Sequence, residues 1–149
     1  KRDNQDIYYD IESRKNSITY RGNMIRLIDQ LIIENNYEKA EEILDLAIEK
    51  MPIEDFGFYT LLEPFINSYY KIEKNEKARN IFEKIAVKYK ENLEYFSNIS
   101  NTNKNRYTEE IYTDIERYRS LVDVLISYEE GEYLESKMKE FNDYLDLFL

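Results

Sequence analysis

The chain has 149 residues, and its 31 acidic against 21 basic side chains give a net charge of -10. That length suits one domain with a sizeable core, and the acidic balance supplies no basic face for a nucleic-acid backbone. There is neither cysteine nor histidine, which excludes disulfides, thiolate nucleophiles, thiolate-bound zinc and the commonest general base.

Residues 1–17 are polar with scattered aromatics (Ile7, Tyr8, Tyr9) and read as an irregular lead-in to one helical domain over 18–149. The first residue, Lys1, points to a fragment of a longer protein. No signal peptide opens it, and no apolar run approaches the roughly 18 residues that a membrane span needs. From Ile18 the helical period takes over, with Met24, Leu27, Ile28, Leu31 and Ile32 on one stripe. Glu34-Asn35-Asn36-Tyr37 should end this helix, because asparagine tolerates the left-handed closing turn. A second helix follows from Tyr37, with Ala40, Ile43, Leu44, Ala47, Ile48 and Met51 inward, and Pro52 marks its end.

A second pair comes next. Leu62, Phe65, Ile66 and Tyr69 share one face, and Pro64 should either kink that helix or delay its regular start. Ala78, Ile81, Phe82, Ile85 and Tyr89 then repeat the inward pattern of the earlier helix. Residues 98–106 carry only Ile99 as an apolar side chain and read as a mobile loop. Beyond them, Ile111, Ile115, Tyr118, Val122 and Leu125 keep helical steps. After Gly131, so do Leu134, Met138, Phe141, Leu145 and Phe148. The expected class is all-α, with six or seven helices. Acidity concentrates at residues 21–54, with four basic against eight acidic, and 101–149, with six against twelve.

Aligned at an offset of 38 residues, the two second helices pair Ala40 with Ala78, Leu44 with Phe82 and Ala47 with Ile85. This resembles the tetratricopeptide repeat, whose second helix carries the same alanine, large apolar and closing proline pattern. A small residue lets the second helix of a pair lie close to the first. The resemblance implies an α-α superhelix of two pairs, about 21–54 and 59–92, extended by two or three C-terminal helices over about 107–149. Lys90 stands where the second closing proline would be, and the usual aromatic and glycine of the first helix are missing from both repeats.

The similarity reaches further. Arg14, Tyr20, Arg21, Asn23, Arg26, Ala40, Pro52, Pro64, Tyr69, Tyr70 and Ala78 occur in an order similar to the C-terminal soluble domain of a bacterial multispanning membrane protein family. That family is common in Bacteroidetes, is of unknown function and is related to protein O-mannosyltransferases. The resemblance spans roughly Ile7 to Leu149. It implies a periplasmic position and a lipid-linked sugar donor, with catalytic acids in the membrane-embedded part, which is outside this sequence.

No catalytic constellation stands out among the residues. Glu38, Glu42, Asp45 and Glu49 line one helix face, and a straight row converges poorly on calcium, so it reads as a solvated face. Tyrosine, at 15 residues, clusters around "FGFYTLLEPFINSYY". Rings that pack helices account for this more readily than rings that stack on sugars. Asn98-Ile99-Ser100 fits a glycosylation pattern by chance. If the first helices of the pairs line a concave side, Asp29, Glu63, Asn67, Tyr70 and Lys71 are its exposed candidates. Such a floor favours a neutral or basic partner, a protein, an extended peptide or a glycan. No cofactor and no metal is implied. The expected function is a non-catalytic interaction or scaffold domain. A cytoplasmic repeat adaptor is the alternative. A sugar-processing enzyme is a third reading, opposed by the missing histidine and the lack of a converging acid pair.

Overall fold

A computed structural model describes residues 11–56 and 59–149, and among them the backbone forms helices and turns with no strand. The first ten residues of the expected lead-in, including Ile7, Tyr8 and Tyr9, lie outside the described residues. So do Gly57 and Phe58 of the aromatic segment.

Helix α1 covers Ile11–Ile33, so residues 11–17 are helical where an irregular lead-in was expected. Its first turn carries Glu12, favourable at a helix N-terminus, and that side chain pairs with Lys15 at 3.5 Å. Gly22 sits mid-helix with nothing within 4 Å of where a Cβ would stand. Gly22→Ala should therefore stabilise the protein by about 0.5–1 kcal/mol, since glycine loses the most backbone entropy in a helix. Urea unfolding would check this, and a destabilised variant would mean that the position is not open.

The turn after α1 is a Schellman closure. Asn35 takes φ 58°, Asn36 N–H donates to Leu31 C=O at 2.8 Å and Asn35 N–H to Ile32 C=O at 3.0 Å. Asn36 then caps α2 (Tyr37–Lys50), its side chain accepting from Lys39 N–H. Pro52 follows the end of α2, as the sequence indicates. A single turn, α3 (Ile53–Phe56), and a 3₁₀ turn over Tyr59–Leu62 lead into α4 (Glu63–Lys71). Pro64 lies in the first turn of α4, where its missing N–H is not needed. It delays the helix and does not kink it.

The turn after α4 repeats the first at an offset of 38 residues. Glu73 takes φ 62°, Lys74 N–H donates to Tyr69 C=O at 2.9 Å and Glu73 N–H to Tyr70 C=O at 3.0 Å. Ala40 and Ala78, each 0% exposed, then follow their turns at the same distance along the chain. Helix α5 runs from Asn75 to Asn98, past the expected end near residue 92. Lys90 occupies the position equivalent to Pro52, so nothing stops the helix there.

Residues 98–106 are not the irregular loop expected. Ser100 accepts a hydrogen bond from Asn103 N–H and starts a short helix, α6 (Asn101–Arg106), which buries none of its residues. Side-chain capping thus organises a segment that has little to bury. Helices α7 (Thr108–Tyr128) and α8 (Glu132–Leu145), separated at Gly131 with φ 74°, lead to a closing 3₁₀ turn over Asp146–Phe148.

The chain forms two compact units, one ending at Arg79 and the other starting at Asn80. In the first, α1 packs on α2 and α4, and α4 also meets α2. Ile28, Leu44, Phe65 and Ile66 are fully enclosed. In the second, α7 packs on α8. Tyr118 lies at its centre, 1% exposed, stacked on Tyr89 at 6.4 Å and edge-on to Phe141 at 5.1 Å. Charges tie α5 to α8: Lys90 pairs with Glu140, and Lys137 with both Glu83 and Glu140. Burial disfavours the charged form of Glu140, but the two lysines outweigh it and hold the carboxyl below its usual range.

Candidate functional site

The best-connected polar cluster joins α2 to α4 and the first turn of α5. Tyr69 hydroxyl donates to Asp45 at 2.8 Å, and Lys77 reaches Asp45 at 2.6 Å and Glu41 at 2.7 Å. Lys74 adds a contact to Glu41 at 3.2 Å. Of the acidic row on α2, then, Glu38, Glu42 and Glu49 face solvent as expected, while Asp45 is engaged by the neighbouring helix. Burial first, and then the Asp45 and Glu41 carboxylates, push the Tyr69 phenol far up. It stays protonated and donates, so the cluster clamps the helices together.

Of the five residues expected on a concave floor, Asp29 and Lys71 are exposed, and Glu63 and Asn67 are half-buried. Tyr70 is only 4% exposed, which corrects its assignment as a platform. Helix α4 has nine residues and buries Phe65, Ile66, Ser68, Tyr69 and Tyr70. With neighbours on more than one side, both tyrosines serve packing. Among the described residues the most exposed rings are elsewhere, at Tyr20, Tyr95 and Tyr112.

An open groove of about 460 Å³ lies beside α1 and α2, walled by Tyr20, Met24, Leu46 and Met51, with Lys50 among its lining residues. Next to it, Arg21 is 1% exposed and donates to Met51 C=O at 3.1 Å. Its burial lowers its pKa, yet a guanidinium remains charged. The groove is thus walled by apolar side chains with a lysine at its lining. Sequence reasoning missed it. The readable signal was Leu46, an apolar side chain on the face of α2 otherwise given to acids.

Among the described residues no three acidic side chains come together to hold a metal ion, and no helix is long and apolar enough to cross a membrane. No family model matches this chain, no curated protein matches its sequence and no solved structure matches its fold.

Proposed function

We propose that this chain is a non-catalytic interaction domain built on tetratricopeptide-like helix pairs. In this reading it is the extracytoplasmic part of a membrane protein related to protein O-mannosyltransferases. The observation that carries the helix-pair reading is the repeated closing turn. At an offset of 38 residues, two turns use the same left-handed residue and the same two backbone hydrogen bonds, each followed by a buried alanine. The link to the membrane family rests on the sequence resemblance through Tyr20, Arg21, Pro52 and Pro64. Helix pairs of this kind present side chains to peptides along one face.

The partner-facing residues in this reading are Asp29 and Lys71 at the surface, with Glu63 and Asn67 beside them. The Asp29→Lys, Lys71→Glu double variant should reduce capture of a partner from the native envelope without altering the melting temperature. Glu38→Lys with Glu42→Lys, on the exposed row of α2, should leave capture unchanged. Loss of the partner from the α2 variant alone would place the site elsewhere. Turnover of a glycoside or lipid-linked sugar by this chain, abolished by a single acidic substitution, would overturn the non-catalytic reading.

A further inference from the structure

A cleft of about 550 Å³ lies between the C-terminal half of α5 and the first half of α7, wholly within the second unit. Its aromatic side is Tyr95, which is 63% exposed, with Phe96 edge-on to it at 5.5 Å. Phe96 is held in turn by Tyr107, also at 5.5 Å. The α7 side supplies Glu109, Glu110 and Asp114, with Arg117 as the one cation among the lining residues.

Asp114 sets this cleft apart from an ordinary acidic surface. It is 7% exposed, yet among the described residues it receives a single hydrogen bond, from Asn92 to Oδ2 at 3.2 Å. Its other carboxylate oxygen takes no donor among the described residues, and the residue lines the cleft. Burial accordingly raises its pKa, against the lowering effects of Asn92 and Arg117. That second oxygen is open to solvent, so a cationic donor entering the cleft could reach it.

We infer that this cleft binds the side chain of an arginine presented by a basic peptide. The guanidinium would donate to the open Asp114 oxygen while its plane lies on the Tyr95 ring. Glu109 and Glu110 would then draw the flanking positive charge of the same peptide. The pieces match a guanidinium in particular, because it is planar, keeps its charge in partly dry surroundings and combines a fork of donors with an aromatic-stacking face. The surrounding sequence adds to the attraction, since residues 101–149 carry six basic against twelve acidic side chains. This deepens the interaction-domain reading and rests on it for the biological role of the contact, not for its chemistry.

The test is a titration of the full ¹⁵N-labelled chain with acetylated tri-arginine amide, followed by backbone and Asn92 side-chain amide shifts. Acetylated tri-glutamate amide and methyl α-glucoside serve as parallel probes. Tri-arginine should produce saturable shifts centred on Asn92, Tyr95 and Asp114, with none from tri-glutamate or the glucoside. Asp114→Asn, which is isosteric, and Tyr95→Ala, at an exposed ring, should each weaken binding about tenfold or more. Glu38→Gln with Glu42→Gln on α2 should leave it unchanged. Unaltered affinity in Asp114→Asn would reduce the effect to diffuse charge attraction and overturn the proposal. So would saturable shifts from the glucoside alone, which would make this a sugar site, or no saturable shift from any probe. A catalytic turnover elsewhere on the chain would sink the interaction-domain reading while leaving this cleft intact. A silent titration would do the reverse.

Discussion

Ala40→Leu should lower the unfolding free energy by about 1–3 kcal/mol, and Ala78→Leu by a similar amount. Both alanines are 0% exposed and follow the same turn, so each Cβ points into space already filled by neighbouring side chains. Leucine would bring three further carbons to that contact. The helix would have to shift or the new side chain leave its rotamer, and either relaxation is resisted by the turn hydrogen bonds on one side. Helix propensity does not explain the loss, since leucine is nearly as good a helix former as alanine. Glu42→Leu is the control. That side chain is 58% exposed and among the described residues pairs only with Lys39, one turn away, so its loss should change stability by no more than about 0.5 kcal/mol. Equal shifts in the three variants under urea would mean that the alanines do not mark close helix approach.

The same contrast explains what could be read from the sequence. Helical spacing located the buried faces of α2, α4, α5 and α7 well: Ala40, Leu44, Phe65, Ile66, Phe82, Ile85, Ile115 and Val122 are all enclosed. These helices bury apolar side chains on one stripe, which is the pattern that periodicity detects. Helix α1 is different. Of its expected stripe only Ile28 is fully buried, and Leu27 is 48% exposed. Ser17 and Arg21 are buried instead, at 3% and 1%. A buried arginine that donates to the Met51 carbonyl satisfies a helix end that apolar side chains could not, and hydropathy assigns it to the surface.

Tyr70 shows the second limit. It was placed on an exposed floor by counting along its own helix, but burial depends on what approaches from other helices. Helix α4 is short and enclosed on more than one side, so Tyr70 has no open face. Asp114 sits one residue before Ile115, on the edge of the apolar stripe of α7, and only the α5 residue Asn92 reveals its role. The cleft beside it depends on two segments brought together by the turn through α6, a stretch whose composition suggested no structure. Capping by Ser100 was the local signal there, and it was outweighed by the run of polar residues.

Tyr118→Ala should be the most damaging single change, costing about 3–5 kcal/mol, the range for removing a large buried ring. The ring stands among three others, with Tyr89 at 6.4 Å, Phe141 at 5.1 Å and Tyr144 at 6.4 Å. Truncation removes its own buried area and the edge-on contacts, each of which adds about 0.5–1.5 kcal/mol beyond area. The hydroxyl contributes little by comparison. Among the described residues it makes no hydrogen bond, and burial pushes its pKa up, followed by the nearby Glu140, Tyr144 and Glu83. Tyr118→Phe should therefore cost less than about 1 kcal/mol, which separates ring packing from phenol chemistry. Native-state hydrogen exchange reads both variants directly on α7, at the amides of Leu121 and Val122, whose side chains are 2% and 4% exposed. Protection there should collapse in Tyr118→Ala and persist in Tyr118→Phe. Equal loss in the two would mean that the hydroxyl, and not the ring, holds this core together.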